Sequence, residues 1–159
     1  MEQKQENFEQ QLQFGIDGEK IVAENFMQQG FFILPVYQFD VNTAPVLFST
    51  NKQYILPDMV VFRNLECAFI EAKRKRQYVK WKGKIETGIC QRLYDHYMQI
   101  HKNTGLDVFI VFVQEEEEPT GIFYLNLCTP GRKWDGRNHK GEIKEKPLYL
   151  WETQYLKQL

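Results

Sequence analysis

The sequence has little that would mark a membrane, secreted or zinc-dependent protein. Its three cysteines, Cys67, Cys90 and Cys128, are scattered and show no CxxC spacing. An odd, dispersed set argues against a disulfide framework or a cysteine zinc site and fits buried, reduced thiols of a cytoplasmic protein. His96 and His101 lack the i, i+4 spacing of a helical zinc pair and have no evident third ligand, so they read as structural or surface residues. No apolar run approaches membrane-spanning length, and the polar, Gln/Glu-rich N-terminus is unlike a secretory signal. No internal repeat divides the chain, and no membrane partner or organic cofactor is expected. A net charge of −1 does not announce a polyanion binder.

What is present is an ordinary globular composition with an uneven distribution of charge. At 159 residues, 43% hydrophobic and 26% charged, the chain suits one domain with a single core, spanning 1–159. Lys73, Arg74, Lys75, Arg76, Lys80, Lys82 and Lys84 follow one another with no acid among them. Arg132, Lys133, Arg137, Lys140, Lys144 and Lys146 form a second basic stretch, while acids collect near the N-terminus and at Glu115–Glu118. Screening confines each charge to roughly 8 Å at physiological salt, so a phosphate backbone senses such clusters rather than the total. Either stretch is equally compatible with a solvated loop.

Helical spacing of Phe8, Leu12, Ile16, Val22, Ala23 and Phe26 predicts an amphipathic helix to about Gln29, with Gly15 and Gly18 weakening its continuity. Asp17 could cap a restarted second half. Strands are expected at 31–34, 59–62 and 68–70, the last two joined by the polar turn Arg63–Glu66. Residues 40–53 read as a loop. A helix follows from about Thr87 to Asn103 with Gly105 as its C-cap, then strands at 108–113 and 121–127 separated by the Glu115–Pro119 turn. Residues 129–147 read as a long loop, closed by a short strand at 148–151 and a terminal helix. The order implies an α/β fold with a central mixed sheet flanked by helices, its core spanning about 8–127.

Chemistry concentrates at Pro57-Asp58 and Glu71-Ala72-Lys73. Strand alternation puts Glu71 and Lys73 on one face, and a hairpin across Arg63–Glu66 would bring Asp58 beside Glu71. Two carboxylates with water and substrate phosphate suit a Mg²⁺ ion, and the Ala72 carbonyl is a further candidate ligand. Lys73 would then orient or help activate the attacking water and stabilise charge on the phosphate. Glu19 falls within the apolar helical stripe, where a carboxylate needs a partner or a metal; if the helix restarts at Asp17, it is instead exposed in a first turn. Gln91, with Tyr94 and Asp95 one turn on, either bonds a metal-bound water or phosphate or is an ordinary exposed helical glutamine. Tyr78, Tyr94 and Tyr97 are candidate nucleic-acid contacts, with core or rim packing favoured for Tyr97.

Asp58 after Pro57, followed by Glu71-Ala72-Lys73, resembles the signature of the PD-(D/E)XK nuclease superfamily. The predicted order from Phe8 to Val113 is similar to its restriction-endonuclease-like αβββαβ core. Gly18-Glu19, the apolar helix and Gly30-Phe31 resemble the start of Holliday-junction resolvases, which implies Glu19 as a third carboxylate of the metal site. Gln91 is similar to a glutamine of several branches, although Asp95 stands where one branch has tyrosine. The resemblance implies a Mg²⁺-dependent DNA endonuclease, with Mn²⁺ able to substitute, acting on branched or phage and mobile-element DNA. Arg74, Lys75, Arg76, Lys80, Lys82 and Lys84 would grip phosphates. A small domain without a recognition module is expected to work as a homodimer. The competing reading is a non-catalytic nucleic-acid-binding or protein-interaction module on the same fold.

Overall fold

The structure is a computed structural model that describes residues 2–36, 46–48, 52–137, 143 and 146–159, with side chains from residue 9 onward. The first helix, α1 (Glu2–Gln28), runs unbroken through both glycines. A Cβ on Gly18 would lie 2.8 Å from the Arg74 Cβ, so this glycine lets α1 settle close against the sheet rather than interrupting the helix. Asp17 therefore caps nothing; it accepts a bond from the Gln13 amide at 2.8 Å and lies 3.8 Å from Arg74. Phe8 falls among residues whose side chains are not described.

Strands β1 (Phe32–Pro35), β2 (Val46–Phe48), β3 (Gln53–Ile55), β4 (Met59–Arg63) and β5 (Glu66–Lys75) come next, then β6 (Val79–Trp81) and β7 (Lys84–Cys90). Helix α2 (Gln91–Thr104) leads through Gly105, whose N–H bonds the His101 carbonyl at 2.9 Å, into β8 (Asp107–Gln114) and β9 (Gly121–Asn126). The chain ends with β10 (Arg132–Trp134), β11 (Leu148–Glu152), a short 3-10 turn and β12 (Lys157–Gln158).

Six strands form the central sheet in the order β1-β4-β5-β8-β9-β12. Only β5 and β8 are parallel, as a strand–helix–strand crossover through α2 requires. The elements α1, β1, β4, β5, α2 and β8 reproduce the expected αβββαβ order. Alternation divides β5 between the two layers. Ile70 and Ala72 pack with Val22 and Phe26 of α1, and Phe69 packs with Tyr97 and Ile100 of α2. Val111 and Val113 join the α1 side, Ile110 and Phe112 the α2 side, so β8 is buried on both faces.

Several expectations are corrected. The segment read as a basic loop is regular: β5 continues to Lys75, and β6 and β7 pair as a hairpin. Thr87 to Cys90 belong to β7, so α2 begins at Gln91. Residues 129–147 are not loop throughout, because Arg132–Trp134 pairs with β11. Together β10-β11-β7-β6 make a second sheet that packs on the α2 side through Tyr149 and Trp151, with Tyr149 stacked on Tyr94 at 3.6 Å. A Cβ at Gly88 would stand 2.0 Å from the Tyr149 carbonyl oxygen, so this pairing requires glycine in β7. The loop expected at 40–53 yields β2, which pairs with β3; residues 40–45 lie outside the described residues, as do Lys140 and Lys144. The terminal helix is only the 3-10 turn. The cysteines are free, but Cys67 and Cys128 are exposed and Cys90 half-buried, against the expectation of burial. No described helix is long and apolar enough to cross a membrane.

Candidate active site

A two-residue turn, Asn64–Leu65, closes the β4–β5 hairpin, with Asn64 in the left-handed region at φ 56°. Met59 pairs with Ile70, so the next step of the register sets Asp58 opposite Glu71. Both acids are buried, at 7% and 2% exposure. The Asp58 Oδ2 accepts the Ala72 backbone N–H at 2.8 Å and thus extends the ladder where the β4 backbone ends. Ala72 contributes this donor and a buried methyl on the α1 side. Glu71 is held at both oxygens: the Lys73 ammonium bonds Oε1, and the Tyr97 hydroxyl donates to Oε2 at 2.6 Å. Lys73 also lies 3.9 Å from Asp58.

These contacts set the electrostatics. Burial first, then the Glu71 charge, push the Asp58 carboxyl well above the usual carboxylate range; Lys73 opposes this, Glu19 adds to it, and the Ala72 N–H opposes it. Burial alone would lower the Lys73 ammonium, but Glu71, Asp58, the hydrogen bond to Glu71 and Glu19 outweigh it, so Lys73 stays firmly protonated. Glu19 is partly buried on α1, raised by burial, lowered by Lys73 and raised again by Glu71, with a net upward direction. It is thus within electrostatic range of the hairpin acids. Among the described residues, however, no three His, Cys, Asp or Glu side chains come together closely enough to hold a metal ion. Lys73, bonded to one acid and near the other, holds the place between them.

The other sequence candidates divide by strand face. Lys75, on the face of Glu71 and Lys73, is pushed down to about 8 by burial and by Lys73, and it has no acidic partner among the described residues. Arg74 points the other way, bonded twice to Glu115 at 2.9 and 2.7 Å and lying over the Phe14 ring at 4.2 Å. Arg76 sits 3.5 Å from Glu116 and over the same ring at 4.8 Å, Lys80 pairs with Glu117, and Lys84 with Glu152. Lys82 is exposed at the β6–β7 turn, its ammonium 5.7 Å from the Trp81 ring. Gln91 donates to Asp95 at 2.8 Å, and its buried Oε1 has no hydrogen-bond partner among the described residues. Tyr78 donates its hydroxyl to the Pro119 carbonyl at 2.6 Å, and Tyr94 is committed to Tyr149.

Sequence reasoning missed two things. It favoured core or rim packing for Tyr97 and gave it no partner in the site, although a hydroxyl buried there needs an acceptor, and Glu71 supplies it. It also treated the acidic run Glu115–Glu118 as a plain turn rather than the counter-charge of the basic run.

Two buried carboxylates facing each other, with Asp58 driven toward protonation by burial and then by Glu71, are donors of the kind a hard divalent cation takes, and Lys73 now supplies the positive charge between them. No protein-family model matches the chain, and no curated protein matches its sequence. Among solved structures it is similar to Hjc of Archaeoglobus fulgidus, a Holliday junction resolvase from an archaeal hyperthermophile. The TM-score is 0.57 at 12% identity, covering 89% of this chain and 90% of that one. At that identity the likeness is one of architecture: the chain has the α/β, restriction-endonuclease-like fold of that resolvase.

Proposed function

We propose that the protein is a Mg²⁺-dependent DNA endonuclease, with Mn²⁺ as a substitute, acting on branched or mobile-element DNA. The observation that carries this reading is the buried Asp58–Glu71 pair, opposed on one hairpin and bridged by Lys73. Asp58 and Glu71 would hold the ion, with Glu19 and the Ala72 carbonyl as further ligands and Gln91 as a contact to bound water. When bound, the ion would acidify a water and polarise the phosphate.

The remaining chemistry belongs to the chain. The Ala72 N–H fixes one Asp58 oxygen, and Tyr97 fixes one Glu71 oxygen, so both acids are oriented before substrate arrives. Lys73, kept protonated by its acids, donates toward the attacking water and the charge that develops on the phosphate. The basic residues from Arg74 to Lys84 would supply backbone contacts, the paired ones by exchanging a glutamate for phosphate, and a homodimer would address two strands. Cytoplasmic placement accords with three free thiols.

The test is cleavage of plasmid, duplex and four-way-junction DNA with and without Mg²⁺, by wild type and by Asp58→Ala and Lys73→Ala. Metal-dependent cleavage lost in both variants is expected. Salt-dependent binding without cleavage by wild type would favour the binding module and overturn the enzyme.

A further inference from the structure

We propose that Lys75 is the side chain that receives the substrate phosphate next to the one cleaved, beside the buried amide of Gln114. This rests on the nuclease reading of the Asp58–Glu71–Lys73 cluster and adds a subsite to it.

The placement comes from the strand. Glu71, Lys73 and Lys75 alternate onto the α2 side of β5, each about 6.6 Å from the last along the strand. That step is comparable to the advance from one phosphate to its neighbour along a nucleic-acid strand. A phosphate held at Lys73 therefore brings the adjoining one toward Lys75. In the parallel register Lys75 lies beside Gln114, the last residue of β8. Gln114 is 2% exposed and donates its amide to the Arg76 carbonyl at 3.0 Å, while its Oε1 has no hydrogen-bond partner among the described residues. A fixed amide with a spare acceptor adds polarity beside the ammonium without a charge that would neutralise it.

Lys75 differs from its basic neighbours in its counter-charge. Arg74, Arg76, Lys80 and Lys84 are each answered by a glutamate. Lys75 has no acid within ion-pairing distance among the described residues, and the charge that bears on it is the like-signed Lys73. A partly buried lysine without a partner costs stability. An anion entering the site would remove that cost, whereas at the paired cations a phosphate must first displace a carboxylate. Burial and Lys73 also hold Lys75 down to about 8, the direction expected of an ammonium awaiting its counter-ion.

The experiment uses the full chain carrying Asp58→Asn, so that binding is read without cleavage. Affinity for a short duplex and for a four-way junction is measured from about 50 to 200 mM salt. Adding Lys75→Met is expected to weaken binding roughly tenfold at the low-salt end and to reduce the log–log salt slope by about 0.9, the loss of one phosphate contact. Lys75→Arg should restore the slope. Lys102→Met, which removes the same charge from the far end of α2, should leave it unchanged. With Asp58 intact, Lys75→Met should raise KM while lowering kcat far less than Lys73→Ala does. A Lys75→Met slope equal to that of Lys102→Met, with binding intact, overturns the subsite and leaves the nuclease reading standing. Absence of any DNA binding overturns both.

Discussion

The two sides of β5 carry the same kinds of residue and treat them differently. On the α1 side, Arg74 is surrounded by partners from elsewhere in the chain: Glu115, Asp17 and the ring of Phe14. On the α2 side, Glu71 and Lys73 answer mainly each other and Asp58, all at close quarters, and Lys75 is left over. Pairs at the rim with one or both members exposed are worth little each and tie elements together. Charges gathered about two buried acids depend on one another, because removing one leaves the others uncompensated. A basic run in sequence is thus two things in the fold, a brace on one side and part of a buried charge cluster on the other.

The largest expected effect strikes the α2 side alone. Asp58→Ala or Lys73→Ala should lower the cleavage rate at least hundredfold, measured under single-turnover conditions, while Arg76→Ala changes it by less than about tenfold. Equal losses on both sides would erase the distinction. Next, Tyr97→Phe removes the hydroxyl that holds Glu71 Oε2 and should cost about 1–2 kcal/mol in denaturant unfolding. It should also raise the Mg²⁺ concentration needed for half-maximal cleavage, which a purely structural tyrosine would leave alone.

A third effect is in pH. The fold raises the Asp58 value, so its protonated form is the one the fold favours; that contribution is present at low pH and is lost as pH rises from the unfolded value through the folded one. Metal-free wild type should therefore lose stability relative to Asp58→Asn as pH rises across that window, by up to about 1.4 kcal/mol per pH unit. Thermal unfolding of both proteins from about pH 4 to 8 measures this, and Mg²⁺ should shrink the difference at the upper end. The smallest effect belongs to the brace. Arg76 and Glu116 are 66% and 57% exposed, so Glu116→Gln should shift unfolding stability by less than about 0.5 kcal/mol.

How much was legible follows from the range of each contact. The β4–β5 hairpin could be read because alternation and a polar turn are local signals, and they carried Asp58 to Glu71 without distant information. Helix α1 was legible from its stripe, but Gly18 looked like a weakness because the Arg74 it makes room for lies far along the chain. The second sheet was hidden for a like reason. β7 carries Gly88, a breaker by composition, and its partner β11 lies beyond α2, β8 and β9. The glutamate run looked like a turn because its partners, such as Arg74, are 41 residues away. Tyr97 could be placed in the core, but its bond to Glu71 depends on how α2 crosses β5, which no period reports.

The hairpin has a consequence for how the molecule assembles. The bond from Ala72 to Asp58 spans only 14 residues, whereas β5 meets β8 only after β6, β7 and α2 have been accommodated. Short-range closures outpace long-range ones during folding. Asp58 and Glu71 therefore meet early, with Lys73 on the same hairpin, and the hydroxyl of Tyr97 arrives later from α2. The chain carries its own counter-ion into the collapse, so Lys73 acts as escort to the acids that flank it before the rest of the site has formed.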